Sequence, residues 1–200
     1  LPYSENKIHD GYPLENNYGS SFGKRIIDPA IKSYRSEYNL DVVGLILSGI
    51  YGENDNFNPL HAPMLPATLR KIHLAKEEGK KVEVWGDGSA LRDYTYAKDL
   101  RDIYIWFLQN YSSSTPVNIS SGEELPIKEI IKKICDIVNF DFNKVQFDIT
   151  KPNGILKKTP DLSLMKSLNN FKFTKLKDGL TQTYSWFKEN KDNLRIDEKK

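Results

Sequence analysis

Between Trp85 and Arg92 the chain reads Trp-Gly-Asp-Gly-Ser-Ala-Leu-Arg, an indole and a guanidinium seven residues apart across a glycine-punctuated turn. Two such side chains can divide the recognition of a nucleotide between them. An indole offers a flat face on which a nucleobase stacks, and a guanidinium offers a planar fork of donors that matches phosphate oxygens in pairs. The same spacing also fits a Trp and an Arg that bracket an ordinary hairpin, and spacing alone does not separate the two. Asp93 to Tyr96 continues as a short strand, and Asp99 stands where it can cap the helix that follows.

Three stretches carry a wider resemblance: Ile50-Tyr51-Gly52-Glu53-Asn54-Asp55-Asn56-Phe57-Asn58, Leu65-Pro66-Ala67-Thr68-Leu69-Arg70-Lys71-Ile72-His73, and the segment Trp85 to Leu100. In this order they resemble the GDP-L-fucose synthase family of extended short-chain dehydrogenase/reductases, and the resemblance runs from about Pro2 to Asn190. It implies an α/β fold, the end of a Rossmann-like parallel sheet plus a small α/β substrate-binding domain. It also implies NADPH-dependent conversion of GDP-4-keto-6-deoxy-D-mannose to GDP-L-fucose, by epimerisation at two carbons and reduction of the ketone. By position, Lys71, Trp85, Arg92 and Lys158 match family residues that hold the GDP portion. Lys24, Leu47, Ser48 and Ile50 match the NADP(H) side.

The resemblance also exposes departures. Reductases of this family place a tyrosine and a lysine four residues apart, on one helix face. The ammonium and the cofactor ribose lower the tyrosine pKa so that it can protonate the alkoxide left by hydride delivery. Lys24 takes the lysine position, but Ser20 stands where the catalytic tyrosine is expected. A serine hydroxyl is far less acidic and shorter by most of a ring, and Tyr18 lies six residues before Lys24. The family histidine three residues ahead of Pro66 is replaced by Pro63, with His61 two residues earlier in the loop. Gly49 stands where an Asn is expected near the cofactor. No Gly-x-Gly-x-x-Gly phosphate cradle occurs in the sequence; the family carries it in an upstream segment of about a hundred residues. Two functions therefore stand side by side: an enzyme part whose cofactor half lies elsewhere, or a non-catalytic relative that keeps a GDP-sugar grip and serves as a binding or assembly subunit.

Composition narrows the field. The chain has 200 residues, 38% of them hydrophobic, and a net charge of +2 with both signs interspersed. That content supports one substantial core, and the balanced charge gives no basic stripe for nucleic acid. No apolar run reaches the ~18 residues that would cross a bilayer, so no membrane insertion is expected. The single Cys135 excludes an internal disulfide and fits a reducing, cytoplasmic setting; on the apolar side of a helix it reads as a small core residue. No metal site is expected.

The elements that must position these groups follow from periodicity. Ser20–Tyr38 reads as a helix with Pro29 as a kink inside it, and Val42–Leu47 as a strand buried on both faces. Pro66–Glu78 reads as a helix stopped by Gly79. Val82–Trp85 and Asp93–Tyr96 are strands flanking the glycine turn, and Asp99–Asn110 is a helix expected to be largely buried. Val117–Ile119 and Val145–Asp148 are strands, while Pro126–Val138 and Lys177–Asn190 are amphipathic helices. The expected division is a remnant of the dinucleotide-binding domain over 1–60, a nucleotide-sugar domain over 61–190 and a charged tail over 191–200. An incomplete doubly wound sheet leaves an apolar edge, so a homo-oligomer or a place in a larger assembly is expected.

Overall fold

The computed structural model describes residues 2–194; Leu1 and residues 195–200, the last part of the expected charged tail, lie outside the described residues. The chain order is α1 (Tyr18–Arg25), α2 (Ile27–Tyr38), β1 (Leu45–Leu47), β2 (Gly49–Tyr51), α3 (Met64–Glu78), β3 (Val82–Trp85) and β4 (Leu91–Tyr96). It continues with α4 (Ala97–Asn110), β5 (Val117–Ile119), β6 (Glu124–Pro126), α5 (Ile127–Val138), β7 (Val145–Asp148), α6 (Ser163–Leu168) and α7 (Leu176–Asn190). Two compact units interleave along the sequence. One takes the chain up to Ser48 with Asp99–Ser120 and Thr159–Lys172; the other takes Gly49–Lys98, Ser121–Lys158 and the chain from Phe173.

In the first unit β1 and β5 pair in parallel, Leu45 opposite Val117 and Leu47 opposite Ile119. β5 is buried throughout, whereas β1 is half-buried and shorter than the strand expected over Val42–Leu47. The helix expected over Ser20–Tyr38 is two helices that meet at Ile26. Pro29 is the third residue of α2, where its missing N–H would have had no intrahelical partner, so it opens a helix instead of kinking one. Asn39, in the left-handed region at φ +52°, ends α2. Asp28, in the first turn of α2, is buried and accepts hydrogen bonds from Lys32 Nζ (2.9 Å) and His9 Nε2 (2.8 Å). Burial alone would raise the Asp28 carboxyl; its hydrogen bonds from Lys32 and His9 outweigh it and hold the pKa below the ordinary value.

α4 corrects the expectation of a largely buried helix. Leu100, Ile103 and Phe107 form its one buried stripe, while Tyr104, Ile105 and Leu108 face outward, Leu108 with 79% of its surface exposed. The helix also starts at Ala97, straight out of β4, so Asp99 lies in its first turn and not at a cap.

The second unit centres on β4, which pairs in parallel with β2 and antiparallel with β6. β3 pairs in parallel with β7. The strands that flank the glycine turn therefore belong to different sheets, and the hairpin that their spacing allows does not form. Tyr51, Phe57, Leu69, Ile72, Ile131 and Leu180 lie in the core among α3, α5 and α7. Pro66 sits in the first turn of α3, and Gly79 (φ +67°) closes it by donating to the carbonyls of Ala75 and Lys76. Cys135 is fully buried on α5 with Ile134 and Val138, as its place in the apolar pattern requires.

Candidate functional site

Gly86 and Gly88 make the Trp85–Arg92 turn possible, with φ of +79° and +76° that L side chains rarely adopt. Gly86 also leaves no room for a side chain, since a Cβ there would lie 2.1 Å from Asn153 Oδ1. The turn is laced to the loop that follows β7. Gly86 N donates to Asp148 O (2.9 Å), Asp87 N to Asn153 Oδ1 (2.7 Å) and Leu91 N to Leu156 O (2.7 Å). Arg92 Nη1 then donates to Leu91 O (2.7 Å) and Ile155 O (2.8 Å). One loop, residues 149–158, thus runs alongside the whole turn from the indole to the guanidinium.

Trp85 is 65% exposed, with Lys151 Nζ over its ring at 5.8 Å from the centroid. It lines a surface cleft of about 510 Å³ together with Arg70, Lys71, Leu74, Val84 and Ile127. The Lys71 ammonium donates to the Glu83 carbonyl at the cleft wall. Arg92 and Lys158 lie close to each other where loop 149–158 returns, outside the residues lining that cleft. Lys158 is an exposed residue, yet desolvation around its ammonium, and then repulsion from Arg92, hold its pKa below the ordinary lysine value. None of Lys71, Arg92 and Lys158 forms an ion pair among the described residues. Arg92 and Lys71 spend their described hydrogen bonds on carbonyls, so their charges are not neutralised by protein. Arg92 and Lys158, neighbours without a carboxylate partner among the described residues, favour an anion, and the indole that shares the cleft with Lys71 favours an aromatic group there.

The groups expected on the cofactor side are spread over both units. Ser20 and Lys24 are exposed on α1, one turn apart, and neither side chain has a described partner. Leu47 is half-buried in β1, and the Ser48 hydroxyl accepts from Ser120 Oγ at 2.7 Å. Ile50, 39% exposed, belongs to the other unit in β2. Pro63 immediately precedes α3, and His61 is exposed in the loop before it. NADP(H) fits these residues only in part. The free Lys24 ammonium suits a ribose or phosphate oxygen, but the chain has no glycine-rich seat for a pyrophosphate. The hydride step therefore cannot be derived from this chain's own groups.

Several polar residues of the second unit were not singled out by sequence reasoning. Glu53 accepts from Tyr96 Oη (2.7 and 2.9 Å) and Lys98 Nζ (2.6 Å). Buried Asp93 accepts from Ser121 Oγ (2.8 Å) and Gly122 N (3.0 Å). Asp55 is half-buried, which raises its carboxyl pKa, and burial pushes the Tyr94 phenol up to about 12. Strict alternation from Arg92 would have placed Tyr94 on the guanidinium's face of β4. Asp55 sits inside a stretch already singled out, but nothing in its spacing points at Tyr94.

Comparison with known proteins shows the family. The model of the NAD dependent epimerase/dehydratase family matches residues 2–120, and the chain belongs to that family. Within it the chain is similar to GDP-L-fucose synthases: 39% identical over 160 residues to GDP-L-fucose synthase 1 of Arabidopsis thaliana, and 31% over 197 residues to the Dictyostelium discoideum GDP-L-fucose synthase. The first match covers 80% of this chain and 49% of the relative, the second 97% and 61%. The chain thus spans about half to three-fifths of the length of these curated relatives. A crystal structure of a GDP-L-fucose synthetase from Naegleria fowleri bound to NADP superposes with a TM-score of 0.92 at 28% identity, covering 98% of this chain and 63% of that one. The α/β fold with parallel strands is that of extended short-chain dehydrogenase/reductases.

Proposed function

We propose that this chain is the GDP-sugar-gripping part of a GDP-L-fucose synthase-like protein. In this reading the guanine stacks on Trp85, Lys71 reaches the nucleotide from α3, and Arg92 with Lys158 holds the diphosphate. The observation that carries it is the lacing of loop 149–158 to the Trp85–Arg92 turn, which fixes an indole and un-neutralised cations along one strap. The family's reaction, NADP(H)-dependent epimerisation and reduction of GDP-4-keto-6-deoxy-D-mannose, needs a cofactor seat that these residues do not complete. A cytoplasmic setting agrees with the single buried Cys135.

A second reading, a non-catalytic GDP-sugar-binding or assembly subunit, is favoured by Ser20 and Pro63 at the two proton-handling positions. Exposed Tyr18, Phe22, Ile26 and Ile27 on α1 and the start of α2 support a homo-oligomer or a larger assembly in either case. Titration of the chain with GDP, read by tryptophan fluorescence and calorimetry, tests the shared core of both readings. Binding should quench fluorescence and be lost in Trp85→Ala; unchanged heat and fluorescence with GDP would refute it. Assay with the keto-sugar and NADPH separates the two. The chain alone should show no NADPH oxidation, and turnover on the order of one per second would restore the enzyme reading.

A further inference from the structure

Polar groups continue past the phosphate clamp along β4. Alternation puts Arg92 and Tyr94 on one face of the strand, and two residues of strand advance roughly 6.7 Å. Tyr94 packs its ring against Gly49, where a Cβ would lie 2.8 Å from ring carbons, and edge-on to Tyr51 at 6.3 Å. Its phenol oxygen has no hydrogen-bond partner among the described residues. Asp55, in the turn after β2, is half-buried; one carboxylate oxygen accepts from Asn56 N at 2.7 Å, and the other has no described partner. Arg92 and Asp55 are both near enough to Tyr94 to act on its phenol electrostatically. The neighbouring acids are already occupied, Glu53 by Tyr96 and Lys98, Asp93 by Ser121 and Gly122.

We infer that Tyr94 and Asp55 form the subsite for the hydroxyl groups of the hexose carried on the β-phosphate. The inference rests on the nucleotide-sugar reading above. In a nucleoside diphosphate sugar the hexose follows the β-phosphate directly, so groups one strand repeat beyond Arg92 stand at a sugar ring's distance from the clamp. An ionised carboxylate only accepts, and a phenol both donates and accepts. Together they match neighbouring hydroxyls, which need both kinds of partner.

The test titrates the whole chain with GDP and with GDP-mannose, a stable hydroxylated GDP-hexose. GDP-mannose should bind about tenfold more tightly than GDP, as one or two added hydrogen bonds allow. Tyr94→Phe, which keeps the ring on Gly49, and Asp55→Asn should each remove most of that preference while leaving GDP affinity and the melting temperature unchanged. A wild-type chain that binds GDP with no preference for the hexose would overturn the subsite and spare the nucleotide reading. Variants that weaken both ligands equally, or neither, would overturn it too. Failure of both ligands to bind would remove the nucleotide reading and the subsite together.

Discussion

Gly86→Ala tests whether the turn and its strap are one structure. Two costs can be read from the geometry. Holding an alanine at φ +79° places it in the left-handed region, at about 1–2 kcal/mol. Its Cβ would also meet Asn153 Oδ1 at 2.1 Å and Asn153 Cα at 3.2 Å, so the asparagine must leave and the Asp87 N hydrogen bond breaks. That adds about 0.5–1.5 kcal/mol, for a total of about 1.5–3.5 kcal/mol in urea unfolding. Asn153→Ala alone should cost only the hydrogen bond, about 0.5–1.5 kcal/mol. The informative variant is the double one. With the amide gone, Gly86→Ala should cost little more than its backbone term, so the two substitutions should be sub-additive by about 1 kcal/mol. GDP affinity should fall in both single variants, because loop 149–158 also carries the carbonyl that orients Arg92. Strict additivity, or a Gly86→Ala cost under about 0.5 kcal/mol, would refute the laced turn.

Three further outcomes follow from individual side chains. Arg92→Lys keeps the charge and loses the fork, so GDP affinity should drop about tenfold by calorimetry, against about a hundredfold for Arg92→Ala; equal affinities in all three forms would leave Arg92 as a loop pin only. His73 is buried between Tyr184 (Nδ1 to Oη 3.0 Å) and Glu77, and burial lowers its pKa although Glu77 opposes the shift. A base with a depressed native pKa is protonated first in the unfolded chain, so its stabilising effect is present above about pH 6.5 and is lost on acidification below it. Urea midpoints from pH 5 to 7.5 should show that slope, and His73→Phe should flatten it. Burial pushes the Cys135 thiol up to about 12, so an aromatic disulfide reagent at pH 8 should react only as fast as the chain opens, and rapid stoichiometric labelling would contradict its core position.

The elements that sequence revealed were those with a long, one-sided pattern. α5 reads correctly because Ile130, Ile131, Ile134 and Val138 recur at helical spacing on one buried face. α3 reads correctly at its end because Gly79 takes the left-handed closing conformation without a Cβ penalty. β2, β6 and α6 do not follow from periodicity: they are three, three and six residues long, and they lack the alternating β-branched pair, Val117 and Ile119, that marks the equally short β5. Pro29 predicts a kink where the chain in fact breaks at Ile26, because proline signals disruption equally well from the first turn of a new helix or from the middle of an old one. The composition of α4 predicts burial, whereas its residues divide between a packed stripe and an outward face.

Site residues were legible in proportion to how local their partners are. Trp85 and Arg92 could be nominated because both flank one turn, but their spacing was equally compatible with a hairpin. The hairpin is excluded by register, with Val82 opposite Val145 and Leu91 opposite Pro126, and register depends on segments 35–63 residues away. The same pairing brings Asn153 and Ile155 onto the turn, which turns an indole and a guanidinium in sequence into a braced pair. Tyr94 and Asp55 needed one step more. They lie 39 residues apart in the chain, and Tyr94 comes within electrostatic reach of Asp55 because Gly49 pairs opposite Tyr94 in the parallel β2–β4 ladder. A glycine at that position gives no chemical signal by itself; its consequence, a tyrosine ring laid where a side chain would otherwise stand, exists only once the strands are side by side.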